Sequence, residues 1–110
     1  MRNACVEAGI NTEDIRCLAS AWIKKEEPAI RYASEQLKLC RRFIPKWLID
    51  FYYEHHPHAP RSEFVFRKTG VYGVAEPSAM LSGRNTELIL CRSYDGVKVA
   101  IAREVLFQRI

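Results

Sequence analysis

The segment His55-His56-Pro57-His58-Ala59-Pro60 constrains this chain more than any other. Two prolines within four residues cannot continue a helix, and each biases the residue before it toward extended backbone. The segment therefore divides stretches of different pattern. Before it, apolar residues recur at steps of three and four; after it, they alternate or run together between turn residues. A chain of 110 residues has material for one core, so the two stretches read as parts of a single domain, 1–58 helical and 61–110 β-rich.

In the helical part, Asn11-Thr12-Glu13-Asp14 has the form of a helix start, a capping side chain followed by acids in the first turn. Ile15, Leu18, Ala19, Trp22 and Ile23 follow at helical spacing. Pro28 ends this helix and opens the next. Ile30, Ala33, Leu37, Cys40, Ile44, Trp47 and Phe51 then alternate steps of three and four. They predict a helix over residues 29–43, a bend at Phe43-Ile44-Pro45 and a shorter helix over 45–54. In the β-rich part, Glu63–Lys68 and Val71–Ala75 read as strands joined by Thr69-Gly70, and Glu76-Pro77-Ser78 as a break. Glu87–Arg92 and Val97–Ile101 read as a hairpin closed at Tyr94-Asp95-Gly96. Ala102–Ile110 reads as a terminal helix or last strand. The fold class is α+β, with about three N-terminal helices packed on a small C-terminal antiparallel sheet.

Composition narrows the setting. No apolar run approaches the roughly 18–20 residues of a membrane span, and Glu7 falls where a signal peptide needs its apolar stretch. We read a soluble intracellular protein, cytoplasmic or nuclear, with no membrane partner. Cys5, Cys17, Cys40 and Cys91 lie far apart with no C-x-x-C pair, and read as reduced, largely buried thiols.

Catalytic and metal chemistry find little support. His55, His56 and His58, with Cys40, supply half a zinc pattern, and adjacent histidines should point apart; they read as a helix end. Cys40 falls on the helical seam and Cys91 inside an apolar strand. Gly70-Val71-Tyr72-Gly73 is neither a P-loop nor a dinucleotide fingerprint, and the acid pairs Glu13-Asp14 and Glu26-Glu27 sit at helix ends. We expect no enzyme, no metal and no cofactor.

Charge points elsewhere. The net charge is +4, and residues 61–110 carry eight basic against five acidic side chains, or +3. Arg67, Lys68, Arg92, Lys98 and Arg103 lie among Phe66, Tyr72, Tyr94 and Phe107. Basic residues interleaved with aromatics hold phosphates and stack on unpaired bases. This predicts RNA or single-stranded nucleic-acid binding through Arg67, Lys68, Tyr72, Arg92, Tyr94, Lys98 and Arg103. Lys38, Arg41, Arg42 and Lys46 form a secondary basic patch. The alternative is a protein–protein module, an adaptor, inhibitor or homodimer, that presents Trp47, Phe51, Tyr52 and Tyr53.

The tail Val99-Ala100-Ile101-Ala102-Arg103-Glu104-Val105-Leu106-Phe107-Gln108-Arg109-Ile110 resembles the last strand and helix of the carbon storage regulator family, and Arg67-Lys68-Thr69-Gly70 is similar to that family's first-strand Arg-Arg-x-Gly. The resemblance implies a small dimeric regulator of messenger RNA with Arg67, Lys68 and Arg103 on the RNA. Leu88-Ile89-Leu90 through Tyr94-Asp95-Gly96 to Leu106 also resembles the opening hairpin and first helix of BTB/POZ-type adaptor domains. Both resemblances rest on one strand–turn–strand–helix unit, a common local solution, so the chain is assigned to neither.

Overall fold

The computed structural model describes residues 2–94 and 97–105. It opens with a helix, Arg2–Ala8 (α1), that the periodicity does not announce; Ala4 and Cys5 form its buried side. The Asn11–Asp14 signature caps only a short 3-10 turn, Thr12–Asp14, where the Asn11 N–H donates to the Asp14 carboxylate at 3.0 Å.

The helix predicted next is a strand. Cys17–Ala21 (β1) runs extended, followed by a 3-10 turn at Trp22–Lys24. Its residues fit a helical period, yet the run Cys-Leu-Ala-Ser-Ala is small and mostly apolar, the composition of a strand covered on both faces. Pro28–Leu37 (α2) starts with proline at its first helical position, where the missing N–H costs nothing. It stops at Leu37 rather than continuing to 43, because Lys38 turns left-handed (φ 56°, ψ 46°) and its N–H bonds the Ser34 carbonyl. Cys40–Ile44 (β2) then lies parallel to β1, with Cys17 opposite Cys40, Leu18 opposite Arg41, Ala19 opposite Arg42, Ser20 opposite Phe43 and Ala21 opposite Ile44. The segment is therefore a β-α-β unit. Lys46–His55 (α3) follows, as the pattern requires, with Pro45 at its N-cap.

The dividing segment is tied down by one side chain. The Arg61 guanidinium donates to the carbonyls of Tyr53 at 2.5 Å, Pro57 at 2.9 Å and Ala59 at 3.3 Å, and lies over the Tyr53 and Tyr72 rings.

Two predicted strands are helices. Glu63–Thr69 (α4) replaces the strand over 63–68, and Ala75–Leu81 (α5) begins where the strand over 71–75 should end. The Ser62 hydroxyl accepts the Val65 N–H at 3.2 Å, and Gly70 closes the helix at φ 87°. Ser62 and Gly70 stand at the cap spacing of a two-turn helix, and that local chemistry overrides the alternation of Glu63-Phe64-Val65-Phe66. The hairpin stands: Thr86–Tyr94 (β3) pairs antiparallel with Val97–Glu104 (β4), with a register shift between Leu88 and Leu90. Residues 102–104 complete β4. The predicted Asp95-Gly96 turn and the tail 106–110 lie outside the described residues.

The fold is α+β, with a parallel pair beside the expected antiparallel hairpin. Helix α5 packs against both, and α1 lies on the hairpin. Ala21, Ile44, Ile49, Tyr52, Tyr53 and Val71 form the core. Full burial of Ile49 alone stabilises the chain by about 1.5–3 kcal/mol. No helix among the described residues is long and apolar enough to cross a membrane.

Gly73 faces the Tyr53 hydroxyl so closely that a Cβ would overlap it. Gly73→Ala should cost about 1–3 kcal/mol in urea unfolding, as overpacking does. Adding Tyr53→Phe to the same chain should recover most of the loss.

Candidate functional site

Strand alternation sorts the parallel pair into two faces. Cys17, Ala19 and Ala21 share one face with Cys40, Arg42 and Ile44; Leu18 and Ser20 share the other with Arg41 and Phe43. The first face enters the core at its Ala21–Ile44 end. On the second lies an open groove of about 630 Å³ between α2 and β2. Lys25, Glu26, Arg31, Ser34, Glu35, Leu39, Cys40, Arg41 and Phe43 line it. Its volume is that of a small-molecule site. Arg31 pairs with Glu26 at 3.6 Å, while Lys25 and Arg41 make no ion pair among the described residues. The groove thus offers two available cations beside a half-buried aromatic ring, an arrangement suited to an anionic ligand with an apolar body.

Below the sheet lies an aromatic cluster. The Tyr52 hydroxyl donates to the Glu76 carboxylate at 2.6 Å, and the Tyr52 ring stacks on His56 with centroids 4.1 Å apart. Burial first, and the Glu76 hydrogen bond next, hold the Tyr52 phenol above the usual range. Burial and the Glu76 carboxylate push Tyr53 up to about 12. The thiols behave alike. Burial, then the neighbouring Cys40 thiol, push Cys17 up to about 11, and burial raises Cys91.

The residues singled out for nucleic acid do not share one sheet. Arg67 and Lys68 occupy the last turn of α4, with the Lys68 ammonium 5.0 Å above the Phe64 ring. Tyr72 precedes α5 and stacks on Phe66 at 4.4 Å. Arg92 and Tyr94 lie on β3; Arg92 pairs with Glu7 at 2.7 Å, and the Tyr94 phenol is raised by burial and then by Glu7. Lys98 is exposed on β4, and Arg103 is tied across the hairpin to Glu87, its Nε donating at 3.0 Å. Of the secondary patch, Lys38 is the left-handed cap of α2 and Arg41 enters the groove. Arg42 points to the opposite face and donates to the Ser82 carbonyl, and Lys46 bonds Asp50 at 2.8 Å. The four aromatics divide as well: Tyr52 and Tyr53 are core, while Trp47 and Phe51 are exposed. His55 and His56 each set Nδ1 against a carbonyl of the last turn of α3, Phe51 at 3.0 Å and Tyr52 at 2.8 Å.

No spacing along the sequence marks Lys25, Arg31, Ser34, Glu35 and Phe43 as a group. The helix expected over 29–43 conceals the strand alternation that sets Arg41 and Phe43 on one face.

Residues 1–102 match the protein family described as cobalamin synthesis G C-terminus. A Sinorhizobium protein named CobE is 35% identical over 88 residues, which cover 79% of this chain and 56% of the relative. The chain therefore spans little more than half the length of that relative. The solved structure of CobE, "a protein from the cobalamin (vitamin B12) biosynthetic pathway", superposes with a TM-score of 0.80 at 27% identity, covering 98% of this chain and 78% of that one. These matches overturn both functional expectations, RNA or single-stranded nucleic-acid binding and the generic interaction module, and replace the resemblances to RNA regulators and adaptor domains. The shared local unit was a hairpin, which does not specify a function.

Both raised phenols bind their protons more tightly in the fold than the ordinary tyrosine pKa of about 10. The folded chain therefore holds more protons than the unfolded one above that pH, and stability falls as pH rises from about 10 toward 12. Urea unfolding across that window should show the fall, and Tyr53→Phe should flatten it.

Proposed function

The chain belongs to the cobalamin synthesis G C-terminus family, and from that premise we propose that it serves cobalamin biosynthesis by holding an acidic ring intermediate in the groove between α2 and β2. The family match over residues 1–102 carries this proposal. Cobalamin is a corrin ring with carboxylate-derived arms, so a protein that handles its precursors needs cations beside an apolar surface. Lys25, Arg41 and Phe43 of its lining supply these, and the net charge of +4 draws anions to the molecule.

We infer a role of holding rather than bond making: Cys91, Tyr52 and Tyr53 keep their protons more firmly than free side chains, which does not suit a general base near neutral pH. The compartment follows the pathway, the cell interior, and a nuclear setting is set aside.

Isothermal titration with a corrin polycarboxylate, and with vitamin B12 as the amidated control, tests this. The polycarboxylate should bind at least tenfold tighter and weaken as salt rises. Lys25→Glu and Arg41→Glu should each lower its affinity about tenfold. Equal binding of both probes, or binding indifferent to both substitutions, refutes the assignment to the groove.

A further inference from the structure

Cys17 and Cys40 are directly opposite each other in the parallel pair, on the same face. Adjacent strands place such partners with Cα atoms about 4.8 Å apart, inside the roughly 4.4–6.8 Å that a disulfide spans. Both are free thiols; the Cys17 Sγ–H donates to the Leu18 carbonyl at 3.3 Å and the Cys40 Sγ–H to the Arg16 carbonyl at 3.7 Å, weak contacts that either thiol can exchange for the other. Cys40 is exposed and lines the groove, while Cys17 behind it is half-buried. Burial and the neighbouring Cys40 thiol hold the Cys17 proton, with the Arg42 guanidinium acting weakly the other way, so exposed Cys40 is the first to meet an oxidant. The other two cysteines are elsewhere: Cys5 is buried in α1 and Cys91 lies on β3.

We propose that Cys17 and Cys40 form a reversible redox pair that a peroxide converts to a disulfide across the amino ends of β1 and β2. Exposed Cys40 reacts first. Its sulfur attacks the peroxide, the O–O bond breaks, and Cys40 becomes a sulfenic acid as water leaves. The Cys17 sulfur then attacks the Cys40 sulfur; the S–S bond forms and a second water carries away the hydroxyl and the Cys17 proton. Two thiols lose two hydrogens and two electrons, and one hydrogen peroxide becomes two waters. A bridge at a short cross-strand span is of the labile kind that thiols reverse. Because Cys40 is part of the groove's lining, oxidation reshapes that lining and fixes β2 to β1. The pairing requires only the two thiols and stands apart from the ligand assigned above.

The whole chain is treated with a small molar excess of hydrogen peroxide, with circular dichroism confirming that it remains folded. Free thiols should fall from four to two, and non-reducing peptide mapping should find Cys17 joined to Cys40. Dithiothreitol should restore both thiols. The melting temperature of the oxidised chain should rise by about 5 °C or more, since the bridge closes the loop that contains α2. Cys17→Ser and Cys40→Ser should each remove the bridge and the rise. Four surviving thiols in the folded chain would overturn the proposal. So would a bridge to Cys5 or Cys91, a covalent dimer through Cys40, or Cys40 carried to its sulfinic acid while Cys17 stays reduced.

Discussion

Neither sheet in this protein can stand alone. Each has two strands, and a two-stranded sheet in water is marginal at best. The contact that makes them one molecule is the seven-residue helix Ala75–Leu81, which packs on the parallel pair, on the hairpin and on α3. Its Pro77 and Ser78 are fully buried. A proline inside so short a helix is tolerated because it lies within the first turn, where its missing N–H has no partner to lose. Glu76 beside it takes the Tyr52 proton donor from α3. The Thr86 hydroxyl of β3 donates to the Met80 carbonyl of this helix at 2.6 Å, so the short element holds both sheets and α3 by packing and two hydrogen bonds.

The hairpin and α3 were legible because their signals are local. Alternation over residues 87–101 and the Pro45 boundary each act within a few neighbours. Both β1 and β2 were not, because five-residue strands are short enough for their apolar residues to fit helical spacing, and their parallel pairing depends on a crossover rather than on neighbours in the chain. The α4 error is of another kind. Glu63-Phe64-Val65-Phe66 alternates as a strand does, and the signal against it lies outside that run, in the cap residues Ser62 and Gly70. The groove went unseen for the same reason as β2. Lys25 and Arg41 meet only because a crossover brings them together, and no spacing along the chain records that.

The chemistry of the interior is consistently conservative. Two phenols and two thiols are held protonated by burial and by neighbouring acidic groups, so the inside of the molecule resists ionisation around neutrality. Charge is kept outside, where Arg92 and Arg103 are already matched by Glu7 and Glu87. In the groove, Lys25 and Arg41 pair with no acid among the described residues. That division suits a protein which binds an acidic guest, and it fits the family to which the chain belongs.

The His55–Pro60 stretch looks on paper like a hinge, rich in proline and polar residues. Arg61 makes it a buckle instead, since its guanidinium collects one carbonyl from just before the stretch and two from within it, and rests on two tyrosine rings. A peptide bond must peel away from its surroundings to enter a protease cleft. Here peeling would strip several partners from a single cation at once, so the place where the pattern changes is a poor place to cut the chain in two.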